Sequence, residues 1–164
     1  MHFIDFVTWL NNTPWSVWLR ENDYAFSTIE TFHILGLGLS VGTIIWVDLR
    51  LIGISMKRYR VKEMVEQLEQ LALCGFLVMF ISGFLLLCSE PLKCYTILAF
   101  RLKAIMLPLA GLNVLYFHSK GVFGTVSEWD EATITPWRAR MVGILSLILW
   151  FGIIIAGRWT AYTS

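Results

Sequence analysis

The feature that most constrains this chain is a continuous apolar run at residues 31–46, TFHILGLGLSVGTIIW, which contains no aspartate, glutamate, lysine or arginine. Such a run can form the core of a transmembrane helix, which needs about 20 mostly apolar residues. Steps of three and four residues return to the same side of a helix, so His33 shares one face with Gly36, Ser40 and Thr43. This face has little side-chain bulk, and another helix or a flat cofactor could approach the backbone there.

Two interpretations of this small-residue face are open. Small residues four positions apart are a common device for packing membrane helices, and Gly36-x-x-x-Ser40 and Gly38-x-x-x-Gly42 would serve inside a bundle or in a homodimer. An ionisable side chain within a span is costly, however, and is by default a functional candidate. His33 therefore favours a functional role for this segment.

The composition of the whole chain is that of a membrane protein. Of its 164 residues, 57% are hydrophobic and 15% are charged, and the mean hydropathy is +0.65. We predict one all-α domain over residues 1–164, an integral membrane four-helix bundle. Its spans are expected at about residues 25–46, 71–88, 95–117 and 141–156. The net charge of +1 and the lack of a basic patch argue against nucleic acid as a partner.

The N-terminal segment is expected to lie at the membrane surface. Residues 2–10 carry apolar side chains around a few polar ones, which predicts an amphipathic helix at the lipid interface. A second helix should begin at Pro14, with Thr13 as its N-cap. The first span is followed by the densest basic cluster of the chain, which predicts a cytoplasmic loop and places both termini outside. The members of that cluster are Lys57, Arg58, Arg60 and Lys62.

The polar residues of the first and third spans suggest a cofactor. Arg101 and Lys103 lie near the predicted outer end of the third span, at a depth comparable with that of His33. An imidazole that ligates iron, with cations that pair with two propionates, is what a b-type haem site in a helical bundle requires. We therefore predict contacts to haem b from His33, Arg101 and Lys103, and from Gly36 and Ser40 on the small-residue face. The alternative is a structural ion-pair network that joins Glu30 or Glu90 to Arg101.

His118 is the second candidate iron ligand, but it lies near the other end of the third span. At a rise of about 1.5 Å per residue, His33 and His118 differ in depth by about 20 Å, which is too far to hold one iron. Either each histidine binds its own haem or only one of them is a metal ligand.

The sulfur-containing residues give a further alternative. Met79 and Met106 lie at mid-membrane depth, where soft ligands could serve a copper pathway together with Cys74. Most methionines inside spans only fill the core. Cys88 and Cys94 flank a short loop and could form a disulfide if that loop faces an oxidising compartment.

Several short motifs carry a resemblance to known membrane proteins. They lie at residues 33–36, 47–51, 89–95, 100–103, 110–118 and 157–159. On these residues the chain resembles a family of small bacterial inner-membrane proteins of unknown function. It is more distantly similar to copper-resistance D type proteins and to HemJ-type protoporphyrinogen oxidases. The distant similarity implies b-type haem at His33 and at His118, with Lys103 as the matching basic residue.

The expected function is therefore that of a b-type haem protein of the bacterial inner membrane, embedded in lipid. It would pass electrons to or from quinone or a redox partner subunit. The alternatives are copper or other metal handling, and a non-catalytic membrane subunit whose polar residues only pack helices. Whether the protein is an enzyme is left open.

Overall fold

The computed structural model describes residues 3–119, 122–130 and 135–162, and these ranges are helical without a strand. Two short helices, α1 (Phe3–Asn11) and α2 (Pro14–Glu21), precede the long helices α3 (Asp23–Ile52) and α4 (Val61–Ser89). The short α5 (Pro91–Thr96) leads to α6 (Leu98–Phe117), and a 3₁₀ turn with α7 (Val126–Trp129) leads to α8 (Trp137–Tyr162). Helices α3, α4, α6 and α8 are long and apolar enough to cross a membrane, which confirms the predicted fold class.

The ends of the helices differ from the predicted spans for local reasons. Helix α3 continues beyond Trp46 and ends at Ile52, because the positive φ of 86° at Gly53 turns the chain so that the N–H of Ile54 donates to the carbonyl of Leu49, at 3.1 Å. The predicted third span is divided, because Ile97 adopts an extended conformation between α5 and α6. Helix α2 begins at Pro14 as predicted, but the Thr13 hydroxyl donates to the carbonyl of Leu10, at 2.7 Å, and does not cap the helix.

The long helices pack in the spatial order α4, α3, α8, α6. Helix α3 packs closely against α4 and also against α8, and α8 packs against α6. Helices α4 and α6 scarcely touch along their lengths, so the bundle is open between them. Many large apolar side chains point outward, and only 11% of the most apolar window of α6 is buried. An apolar surface of this extent requires lipid around it.

Helices α1, α2 and α5 lie at one end of the bundle, which we call the N-terminal end. The Ser16 hydroxyl donates to the carbonyl of Cys88, at 2.5 Å, and the Arg20 guanidinium donates to the carbonyl of Ser89, at 3.1 Å. These bonds fix α2 to the C-terminal end of α4. Phe6, Trp9 and Trp18 remain exposed, as expected for helices at a lipid interface.

The connections after α3 and α6 lie at the opposite end, which we call the basic end. The Asp130 carboxylate accepts hydrogen bonds from the backbone N–H groups of Val61 and Lys62, at 2.6 and 3.1 Å. It thereby caps α4 from a distant part of the chain and complements the positive end of its dipole. Val126 and Trp129 complete a small hydrophobic core beneath this cap.

Candidate functional site

The small-residue face of α3 is filled by helix α4. A Cβ atom added at Gly36 would lie 2.9 Å from the backbone nitrogen of Met79, and one added at Gly75 would lie 2.6 Å from the backbone nitrogen of Ser40. The Ser40 side chain is fully buried and donates to the carbonyl of Gly36, at 2.7 Å. The backbone of α4 therefore occupies the space in front of Gly36 and Ser40 where a cofactor was predicted.

His33 also faces α4, in a defined orientation. Its Nδ1 lies 3.0 Å from the carbonyl oxygen of Met79 and 3.1 Å from the Ser82 hydroxyl. The Ser82 hydroxyl itself donates to the carbonyl of Val78, so Nδ1 carries the proton that bonds to Met79. Nε2 has no hydrogen-bond partner within the described ranges and keeps its lone pair. Histidines that ligate metals are held in this way, with one ring nitrogen bonded to a carbonyl and the other left to bind the metal.

Of the two predicted basic residues, only Lys103 belongs to the surroundings of His33. Lys103 is half-buried and lies along Gly157 of α8, which the antiparallel packing of α8 on α3 brings to about the depth of His33. Arg101 is exposed and turns toward α5, where its Nε donates to the carbonyl of Tyr95, at 3.0 Å, and its guanidinium lies 5.3 Å from the centre of the Tyr95 ring. Arg101 is therefore not placed to share a ligand with His33.

His118 lies at the basic end, far from His33. It follows the last turn of α6, where its Nδ1 bonds to the carbonyl of Val114, at 3.0 Å, and its ring packs against Phe117 and Phe123. The two histidines cannot share an iron, as the sequence predicted, and His118 is an exposed residue at the rim of the cavity described below.

The sulfur-containing residues do not form a metal pathway in the described part of the chain. Met79 is buried, and Met106 packs its sulfur onto Gly152, so both fill the core. Cys74, Cys88 and Cys94 are free thiols. Nowhere in residues 3–119, 122–130 and 135–162 do three or more histidines, cysteines or carboxylates come together at a possible metal site.

A cavity of about 170 Å³ lies nearer the basic end, between α4 and α6, with α3 and α8 behind it. Its walls are mostly apolar. The polar groups within it are Thr43, Asp48, Asn113 and Ser146, and the exposed side chains of Glu69 and His118 stand at its rim. We call this space the Asp48 cavity. Because α4 and α6 do not close over it, the cavity opens sideways, toward the lipid.

Asp48 is the residue that sets this cavity apart. The side chain is buried, with 4% of the residue exposed, and its Oδ2 atom has no hydrogen-bond partner. The Ser146 side chain lines the same cavity and interacts with the carboxyl. Leaving a buried polar atom unpaired costs about 1–3 kcal/mol, so such an atom calls for an explanation.

Close helix packing places Asp48 at this position. A Cβ atom at Gly143 would lie 3.0 Å from the carbonyl oxygen of Asp48, so α8 approaches α3 directly at that residue. The Asn113 amide donates to the carbonyl of Val142, at 3.1 Å, which holds α6 to α8 and leaves the side-chain oxygen of Asn113 available. One carboxyl, one amide oxygen and two hydroxyls thus lie in an otherwise apolar cavity.

Sequence reasoning missed this site because it ended the first span at Trp46, which left Asp48 outside the span. The apolar residues Leu49, Leu51 and Ile52 before Gly53 were the available signal that the helix continues and buries Asp48. The polar residues Asn113 and Ser146 inside two other spans were a second signal.

Comparison with known proteins identifies the family of the chain but no function. No curated protein and no solved structure matches, so the similarity to copper-resistance D type and HemJ-type proteins has no support. The chain matches the model of a family described as a family of unknown function, DUF6644, over residues 22–163. Since this match covers most of the sequence, the protein belongs to the DUF6644 family.

Proposed function

We propose that this membrane protein binds the head group of a quinone-class molecule in the Asp48 cavity and takes part in quinone-linked electron transfer. The observation that carries the proposal is the buried, unpaired Oδ2 atom of Asp48 in a cavity that opens toward lipid. The proposal retains quinone as the predicted redox partner and gives it a binding site at the basic end, where the sequence analysis predicted none.

The size of the cavity favours a single ring. A dry apolar cavity of about 150 Å³ accommodates benzene, so a cavity of about 170 Å³ suits one six-membered ring with small substituents. A porphyrin is several times larger than benzene and does not fit.

The polar groups suit a ring with oxygen substituents. A carboxyl group donates a hydrogen bond to a carbonyl oxygen when it is protonated and accepts one from a hydroxyl when it is ionised. Asp48 could therefore bind either the oxidised or the reduced form of a quinone. Asn113 offers a further acceptor on the opposite wall.

The opening between α4 and α6 supplies a path for a lipid-soluble ligand. Its edge is formed by apolar residues that include Leu73 and Val114, and Leu73 is 60% exposed. A hydrocarbon tail could remain in the bilayer while the ring occupies the cavity. Such a ligand would not need to cross water.

The test is a binding titration in lipid nanodiscs. Wild-type protein is titrated with a short-chain ubiquinone analogue, and binding is followed by quenching of tryptophan fluorescence. Asp48→Leu should weaken binding about 10-fold or more, because a hydrogen bond to a buried polar group contributes about 1–2 kcal/mol. Asp48→Asn, which keeps a donor and an acceptor, should have a smaller effect.

Two further measurements make this test decisive. Glu66→Leu likewise replaces a carboxylate by leucine, but at an exposed position of α4 outside the cavity. It should leave binding of the analogue unchanged. Asp48→Leu should be at least as stable to heat as the wild type, because it removes an unpaired buried oxygen. If the wild type does not bind the analogue, or if Asp48→Leu binds it equally well, the proposal is wrong.

Haem b at His33 is a second candidate, favoured by the bonded Nδ1 and the free Nε2 of that residue. Of the six residues predicted for it, His33 and Lys103 fit such a site, as iron ligand and propionate partner. Gly36, Ser40, Arg101 and His118 do not. A bound haem would supply one-electron redox chemistry. A Soret band in protein purified from haem-sufficient cells, and its loss in His33→Ala, would support this candidate, and a colourless wild-type protein would remove it.

A further inference from the structure

Lys103 is a cation inside a membrane span, and none of the described residues forms an ion pair with it. Its side chain is half-buried and lies along Gly157 of α8, with Nζ 3.4 Å from the position that a Cβ of Gly157 would occupy. Within the described ranges it makes no hydrogen bond and no ion pair. An ammonium group removed from bulk water is costly unless an anion or a set of acceptors compensates it.

The carboxylates around Lys103 do not compensate it. Glu90 pairs with Lys93, with 3.5 Å between the charged atoms. Glu30 is near enough to His33 for its charge to act on the imidazole, but it forms no ion pair with Lys103. Among the described residues, no carboxylate therefore pairs with Lys103.

The imidazole of His33 lies at a depth similar to that of Lys103. Gly143 of α8 packs on Asp48 of the antiparallel α3, so Gly157, fourteen residues further along α8, lies near the level of residue 34. The Nδ1 atom of His33 is held by Met79 and Ser82, and Nε2 has no hydrogen-bond partner within the described ranges. Nε2 accepts a hydrogen bond from an acid O–H group when the imidazole is neutral and donates to an anionic oxygen when it is protonated. A carboxylate or a phosphate offers oxygens that suit both residues.

We propose that Lys103 and His33 form a second binding site, at the N-terminal end of the bundle, for a carboxylate or phosphate group. The site is independent of the Asp48 cavity, because Asp48 is fifteen residues further along α3, a distance of about 22 Å. Two sources carry this chemistry, the head group of an anionic lipid and a soluble anion.

The experiment measures thermal unfolding in a non-ionic detergent without quinone. Three probes are added separately, namely phosphatidylglycerol, phosphatidylcholine and sodium phosphate, with sodium chloride to match ionic strength. A ligand that binds only the folded state raises the unfolding temperature in proportion to its binding free energy. We expect phosphatidylglycerol to raise the unfolding temperature of the wild type. In Lys103→Gln, most of the rise that comes from binding at this site should be lost.

Matched variants separate this site from other cationic surfaces. The basic end also attracts anionic lipid, so only the part of the shift that disappears in Lys103→Gln counts. Lys93→Gln removes a lysine that already has a partner and should keep the shift. Lys103→Arg should keep it as well, and Glu30→Gln should enlarge it, because it removes a negative charge near His33 that repels an anion.

The outcomes are distinct. A Lys103-dependent shift with phosphatidylglycerol alone assigns the site to a lipid head group, and an equal shift with sodium phosphate assigns it to a soluble anion. The proposal is overturned if neither probe stabilises the wild type beyond phosphatidylcholine and sodium chloride. It is also overturned if Lys103→Gln keeps the whole shift. None of these results depends on quinone binding.

Discussion

Asp48 and His33 lie on one helix, and each has one polar atom without a hydrogen-bond partner among the described residues. In Asp48 this atom is the buried Oδ2, and in His33 it is Nε2, since Nδ1 is bonded to Met79. Lipid cannot form the missing hydrogen bonds, and both binding proposals depend on these two atoms.

Cys94 gives a prediction about pH. Burial raises the pKa of this thiol to about 11, and Glu90 acts in the same direction, against the opposing effects of Lys103 and Lys93. Between pH 9 and 11 the thiol of the unfolded chain ionises while the folded one stays protonated, so the stability that Cys94 contributes below pH 9 is lost as the pH rises. Thermal unfolding of the wild type and of Cys94→Ser at pH 8, 9, 10 and 11 measures how much of the stability depends on the protonation of Cys94.

Lysine and tyrosine residues also titrate in that range, but their effects are common to both proteins and cancel in the difference. The difference should change between pH 9 and 11 and be flat below pH 9. The same pH dependence in both proteins would show that Cys94 ionises as readily in the folded chain as in the unfolded one.

Single residues were predicted only in part from the sequence. Helical spacing correctly placed His33, Gly36, Ser40 and Thr43 on one buried face, because that inference needs only the periodicity of a helix. What the face touches depends on glycines in another helix, above all Gly75, and no local pattern links the two segments. The environment of Asp48 depends in the same way on Gly143 and Ser146 of α8.

At the scale of elements, the contact between α3 and α4 depends on backbone proximity. Gly75→Ala would place a methyl group 2.6 Å from the Ser40 nitrogen, where backbone atoms must move, and we expect a loss of about 1–3 kcal/mol in the free energy of unfolding. Gly38→Ala is the matched control on α3, because nothing lies within 4 Å of the added methyl group. Equilibrium unfolding in mixed micelles measures both variants.

Equal stability of these two variants would mean that α4 does not pack on α3 through Gly75. None of the described residues packs against Gly38 and Gly42, so another copy of the chain could approach α3 there. A row of small residues alone does not specify a partner, and the homodimer stays a prediction.

The order of the elements was easier to predict than their ends. Four apolar segments predict four long helices, because hydropathy and length are sufficient for that conclusion. The break at Ile97 and the distant cap from Asp130 depend on contacts between segments far apart in sequence, so the sequence gives no local sign of them.

At the scale of the whole molecule, an even number of spans would place both ends of the chain on one side of the membrane. The basic cluster at residues 57–62 predicts that this side is the outside. A reporter that is active only outside the cytoplasm should therefore be active when fused after residue 162 and inactive when fused within residues 54–59. Replacing the basic residues of the cluster by glutamine should reduce the difference in reporter activity between the two fusion sites. The reverse pattern of activity would show that the predicted orientation is wrong.

The spatial order α4, α3, α8, α6 has a consequence for biogenesis. Helix α6 follows α4 in the chain with only α5 between them, yet it packs extensively against α8 and scarcely against α4. During synthesis α3 and α4 can pair as soon as both have entered the bilayer, whereas α6 must wait for the last span to leave the ribosome. In a nascent chain halted after α6, α3 and α4 should therefore form a packed hairpin, while α6 has no helix to pack against. Membrane chaperones and proteases would recognise the unpacked α6.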